Sequence, residues 1–145
     1  MKKTILLLSL ILALSFTGCN SSNLNSPQKD ALEASKKIFL PTQKNEPTVM
    51  MQTRLAGVLE KDRNGCLRVN GDLIIWSYGA TLKNNLIYDK NNKPIAEIGK
   101  RVVFGGGGFS SNEGGAEALK NIEKASNDLP SKRCAEPYFF VDSVM

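Results

Sequence analysis

Histidine is absent from the 145-residue chain. With it go the commonest general base, the commonest transition-metal ligand and every Ser/His or Cys/His nucleophile arrangement. Cysteine is scarce, at three residues, and no two are spaced as Cys-x-x-Cys, which removes the usual dithiol redox motif. Aromatics make up 7%, and no apolar run reaches the ~18–20 residues that a membrane-spanning helix needs. Paired-carboxylate motifs are missing as well. The expectation is a chain that is not an enzyme and uses no cofactor and no metal. Net charge is small, with 19 Lys+Arg against 14 Asp+Glu for +5. Spread as it is along the chain, it does not argue for a nucleic-acid partner.

What is present begins at the N-terminus. Met1-Lys2-Lys3 is cationic, Thr4 to Phe16 is an apolar run of 13 residues, and Thr17-Gly18-Cys19 follows. At ~1.5 Å per residue that run spans about 20 Å as a helix, short of the ~30 Å hydrocarbon core, so residues 1–18 read as an export signal and not a permanent anchor. Phe16-Thr17-Gly18-Cys19 resembles the lipobox of bacterial lipoproteins. The resemblance implies a diacylglyceryl group (and further acylation, palmitate among the chains) on Cys19 as the new N-terminus. It therefore implies a membrane partner through lipid, since each buried methylene contributes ~0.8 kcal/mol and two acyl chains suffice for stable attachment. Asn20, not Asp, follows the cysteine. By the sorting rule of diderm lipoproteins, that implies the outer membrane, on its periplasmic face or the cell surface. Loss of Lys2 and Lys3 leaves 17 basic against 14 acidic residues, a charge of +3.

Residues 20–28 are polar, and 30–39 (DALEASKKIF) support a short helix that is marginal in isolation. Residues 19–47 thus read as lipidated cysteine plus flexible linker, and 48–145 as a small domain. In that domain short apolar runs alternate with turn signals: Asn64-Gly65, Asn70-Gly71, the polar stretch 89–93 and Gly99. Gly57 marks a bend in the first strand. Leu73-Ile74-Ile75-Trp76 is too continuously apolar to face water on either side. Residues 100–104 form a strand ending at the glycines, and 136–144 close the fold. One helix interrupts the strands: Ser110 with Glu113, or Ser111, supplies its start, and Ala116, Leu119, Ile122, Ala125 and Leu129 its apolar stripe through Asn127. The fold class is mainly β, a five- to six-stranded barrel with one helix before the last strand, the helix closing one end of the core.

With Cys19 lipidated, Cys66 and Cys134 remain, and in an exported chain the expectation is a disulfide. Free thiols or a two-thiolate metal site are the alternatives, the latter poor without histidine. Gly105 to Gly108 ahead of a helix could cradle an anion through bare N–H groups, but they match no phosphate fingerprint, and a close backbone crossing or unusual turn between strand and helix is the favoured account. Asp62, Asn64 and Gly65 lack the distal glutamate of a calcium loop. Trp76 and Tyr78 flank a loop where they could stack on a ligand, with Trp76 suited to the core and Tyr78 to the surface. Tyr138, Phe139 and Phe140 cannot all face inward, so Tyr138 is a further contact candidate. Lys100-Arg101, with Lys90 and Lys93, reads as a charged strand edge.

Gly57-Val58-Leu59-Glu60, Gly65-Cys66-Leu67, Leu73 to Trp76, Val102 to Gly107 and Cys134-Ala135-Glu136-Pro137-Tyr138 carry a resemblance to an uncharacterised family of small bacterial exported β-barrel domains, with a topology similar to an OB-like barrel. The resemblance implies export and a disulfide and supplies no activity. The expected function is a lipid-anchored envelope module that binds another envelope protein or a glycan. The alternative is an inhibitor or immunity lipoprotein directed at a toxin or a wall-degrading enzyme.

Overall fold

Turn chemistry sets most strand boundaries in the computed structural model, which describes residues 37–129 and 132–145. The signal segment, Cys19 and the linker as far as residue 36 lie outside the described residues. Asn70 and Gly71 both have positive φ (52° and 95°) and join β4 (Leu67–Val69) to β5 (Asp72–Ile75), as Asn-Gly turns do. Asn84 and Asn85 do the same (50° and 66°) between β6 (Thr81–Lys83) and β7 (Leu86–Tyr88). At the earlier turn only Gly65 is left-handed. There Asp62 Oδ1 accepts from the N–H groups of Asn64 (2.8 Å) and Cys66 (2.9 Å), holding β3 (Glu60–Lys61) against β4.

Among the described residues the fold is mainly β, with sheets of six, three and two strands and one helix. The large sheet runs β2-β9-β11-β5-β4-β3, where β2 is Thr53–Val58, β9 is Arg101–Phe109 and β11 is Tyr138–Val144. All its pairings are antiparallel except β5 with β11. β5 is buried on both faces, as its unbroken apolar run demands. Ile74 and Trp76 join a core with Leu59, Leu67, Val69, Phe104, Phe139 and Val141, while Leu73 and Ile75 join a second cluster with Tyr138, Cys66 and Cys134. Helix α1 (Ser111–Ala125) covers that second cluster with Ile122 and the half-buried Leu119.

Several expectations are corrected. The helix lies over the β5–β11 face, and the main core is instead completed by the three-stranded sheet β6-β7-β8 (β8, Pro94–Glu97), through Ile87, Ala96, Leu82 and Ile95. Ala116 and Ala125 are exposed, and Ser126–Asn127 leave the helix to form β10, paired with β1 (Thr42–Gln43). Ser110 is the N-cap but makes no capping hydrogen bond through its side chain. β9 does not stop at Phe104. It runs through all four glycines, and at Gly105, Gly106 and Gly107 its neighbours lie too close for a side chain: a Cβ on Gly106 would sit 1.8 Å from the Phe140 carbonyl oxygen. β9 pairs with β2 from Arg101 to Gly106 but with β11 only from Phe104 to Phe109, so Arg101 has a strand neighbour on the β2 side alone.

Residues 37–47, expected as linker, are bonded into the fold. The Phe39 N–H donates to Gly65 O (2.9 Å), Trp76 N–H to Pro41 O (2.8 Å) and Gln43 N–H to Trp76 O (2.8 Å). Pro41 is fully buried, and Gln43 Nε2 donates to Val141 O at 2.8 Å. Each of these partners is more than twenty residues away in sequence. Among the described residues no helix is long and apolar enough to cross a membrane.

Candidate functional site

Cys66 and Cys134 form a disulfide, both sulfurs buried, with Cα atoms 5.7 Å apart and 68 residues of separation. Around it Arg68 acts as a clamp. Its Nε donates to Asp62 (3.1 Å), one terminal nitrogen to Gly71 O (2.7 Å) and the other to Ala135 O (2.8 Å), tying two turns to the chain just past Cys134. Burial alone would raise the Asp62 carboxyl, but hydrogen bonds from the Cys66 N–H, Arg68 and the Asn64 N–H outweigh it and hold it below its ordinary value. Asp72 is pushed the other way by burial, opposed by the Arg68 charge.

Trp76 and Tyr138, two of the candidate contact residues, lie in the interior. The Trp76 ring meets Phe104 edge-on, with centroids 5.5 Å apart, and its indole N–H is buried without a hydrogen-bond partner. Tyr138 is 3% exposed; burial first, then Glu136 and Glu123, raise its hydroxyl above the usual value, with Arg68 acting against them. Neither can touch a partner in this conformation. Gly105 and Gly106 are laddered on both sides, to β2 and β11, so their backbone N–H and C=O groups serve the sheet. Beyond them, a cleft of about 370 Å³ opens at Gly108, Phe109 and Ser110. Asp72 also lines it, and a carboxylate there disfavours an anion.

Tyr78 is different. It is 44% exposed and lines a concave cleft of about 280 Å³ where four separate segments converge. Glu46 and Pro47 arrive from β1, which Gln43 anchors to Trp76 and Val141. Tyr78 itself stands on the turn after β5. Gly79 there has φ +75°, and a Cβ on it would lie 2.9 Å from Lys90 Cβ, so glycine lets the tyrosine turn press against the lysine stem. Asp89 Oδ1 accepts from the N–H groups of Asn91 (2.9 Å) and Lys93 (2.8 Å), which shapes the β7–β8 connection. Lys90 is hydrogen-bonded and ion-paired to Glu46, which raises its amine above the usual value, and it bridges two walls of the cleft.

Asp142 comes from the fourth segment. The β11–β9 register shifts between Val141 and Ser143, and the resulting bulge redirects the aspartate into the cleft. One oxygen accepts from the Met51 N–H at 2.8 Å; the other is buried with no hydrogen-bond partner. The cleft is thus lined by an exposed tyrosine, the Glu46 and Asp89 carboxylates, one ammonium group and, at its wall, Asp142, a set suited to aromatic contact and hydrogen bonding. Among the described residues no cluster of three or more His, Cys, Asp or Glu side chains could hold a metal ion. Of these residues sequence reasoning had singled out only Tyr78 as a contact. The Asp89–Lys93 turn was visible as polar, and Asp142 was not singled out within the strand expected over 136–144.

No family model, no curated protein and no solved structure matches the chain.

Proposed function

We propose that this chain is a lipid-anchored protein of the cell envelope, held at the outer membrane through Cys19, whose domain recognises another envelope protein or a glycan at the Tyr78 cleft. The observation that carries this reading is the cleft itself. An exposed tyrosine is framed by polar groups that are held in place by the Asx turn at Asp89, the Lys90–Glu46 pair and the β11 bulge. Pre-ordered groups of this kind lose little entropy on binding. The disulfide accords with an oxidising compartment outside the cytoplasm.

The same reading takes the large sheet as an OB-like barrel. β2 and β3 are separated only by Leu59 and pair with β9 and β4 respectively, so one bent strand can join the two ends of the sheet. The parallel β5–β11 pair supports that topology. OB domains commonly bind ligands across their second and third strands, between the loop joining strands one and two and the loop joining strands four and five. Here those two loops would be the ones joined by Cys66–Cys134, and α1 covers β5 and β11 beside them. The customary groove is therefore filled, which favours the Tyr78 cleft on another side of the molecule.

A photo-crosslinking amino acid at Tyr78, with one at the exposed Lys124 on α1 as control, tests the proposal in intact envelopes. A specific adduct from position 78 alone is expected. Indiscriminate or absent adducts at both positions refute the cleft as a recognition site. An adduct with a wall hydrolase or toxin transfers the assignment to an inhibitor or immunity lipoprotein.

A further inference from the structure

Helix α1 leaves part of the outer face of the large sheet uncovered. Strand pairing defines that part: Arg54 stands opposite Gly105, Ala56 opposite Val103 and Val58 opposite Arg101. Paired residues project to one side, and alternation puts Arg101, Val103, Gly105 and Gly107 together. Where the glycines lack side chains, methionines lie over the strand. A Cβ on Gly107 would be 2.0 Å from Met51 Sδ, and one on Gly105 would be 3.1 Å from Met145 Cε. Both methionines are held by their backbones, Met51 N–H donating to Asp142 (2.8 Å) and Met145 N–H to Val103 O (3.0 Å). They are nevertheless open to solvent, Met145 at 72% and Met51 at 44%, with Met50, Val49 and Val58 also exposed nearby in the chain or on this face. Arg54, Lys100 and Arg101 are exposed at the same face or beside it, and within the described residues none of them is in an ion pair.

We propose that this methionine-and-glycine face seats on an anionic phospholipid surface. The inference rests on the lipid-anchored reading and says which side of the domain meets the bilayer. Unbranched methionines adapt to irregular apolar surroundings, and surface cations complement anionic headgroups at ~1 kcal/mol each. The chain length agrees. Lys37, where the described part begins, is 18 residues beyond Cys19, so even a fully extended connection keeps it within about 60 Å of the bilayer. The domain is then held close to the lipid for as long as the anchor is in place, and an exposed apolar patch with a basic rim has a surface of matching chemistry beside it.

The lipidated chain, reconstituted in phosphatidylethanolamine–phosphatidylglycerol vesicles and separately in phosphatidylcholine vesicles, provides the test by hydroxyl-radical footprinting. Labelling of Met51 and Met145, normalised to Tyr78, is expected to fall by about five-fold or more in the anionic vesicles, the ratio that one surface cation at ~1 kcal/mol gives alone. Arg54→Glu with Arg101→Glu is expected to abolish that protection while leaving the melting temperature unchanged. Equal labelling in both vesicle types overturns the proposal. Protection that is independent of lipid and accompanied by doubled sedimentation mass also overturns it, assigning the face to a second copy. The intact mass at Cys19 separates the two readings: an unmodified thiol refutes the anchor. The same footprint, taken on that soluble chain with added vesicles, then decides whether the face binds lipid.

Discussion

Replacing both bridged cysteines, as Cys66→Ala with Cys134→Ala, removes a cross-link that closes a loop of 68 residues. Chain-entropy arithmetic gives about 15 cal/mol/K for a loop that long, or about 4.4 kcal/mol at 25 °C, placed in the unfolded state. The native geometry has other supports. Arg68 still reaches Ala135 O and Asp62, and the β5–β11 ladder still begins at Tyr138 opposite Leu73. The loss should therefore come through the unfolded chain, with the native structure retained. Urea unfolding followed by Trp76 fluorescence reads it: with m near ~1–2 kcal/mol/M, the midpoint should drop by roughly 2–4 M. Against a typical total of ~5–15 kcal/mol, that leaves the variant marginal. The oxidised parent treated with reductant should move to the same midpoint. A midpoint shift below about 0.5 M, less than ~1 kcal/mol at that slope, would refute loop closure as the source of stability.

The glycine run offers a comparison within one strand. Gly106→Ala should destabilise by about 3 kcal/mol or more because its Cβ meets the Phe140 carbonyl, whereas Gly108→Ala, whose nearest neighbour would be 3.9 Å away, should stay within about 0.5 kcal/mol of the parent in the same urea assay. In the core, Phe104→Ala should cost about 3–5 kcal/mol, while Trp76→Phe should cost under about 1.5 kcal/mol, since it trades lost volume against removal of an unpaired indole N–H; urea unfolding followed by far-UV circular dichroism reads both, because the second variant removes the single tryptophan. The two aspartates at the clamp should differ in sign with pH. Asp62, held low in the fold, contributes stability above its unfolded value near ~3.9 that is lost as pH falls through the folded value, so Asp62→Asn should flatten the acid limb of a stability–pH curve by less than about 1 kcal/mol. Asp72, held high, is a burden when ionised that is relieved as pH falls through its raised value; Asp72→Asn should stabilise slightly at pH 7 and gain nothing further in acid.

Local signals carried the parts of this fold that depend on local chemistry. Asn70-Gly71 marked its turn because two left-handed residues in succession leave few other conformations, and Leu73 to Trp76 announced a strand buried on both faces. Asn84-Asn85 carried the same kind of signal, and attention to it would have found β6. The glycines misled because glycine disfavours strands locally; only the proximity of Phe140 and Met51, distant in sequence, makes it the residue that fits. The segment from Phe39 to Gln43 looked like tether for the related reason that its bonds go to Gly65, Trp76 and Val141, none of them nearby in the chain. At the cleft, Tyr78 was legible as a surface aromatic. Asp142 was not, because its direction is set by one extra residue in a ladder whose register only the folded pairing determines.

The bond between positions 66 and 134 also governs what a cut can do. Most of the domain's chain lies inside the ring it closes, including the β6–β8 turns that face solvent. A single nick within that span leaves both fragments covalently joined. The piece bearing the C-terminal strand would stay attached to whatever holds the N-terminus, and its proteolytic release would require a break outside the ring, upstream of Cys66 or beyond Cys134, or reduction of the sulfur bridge.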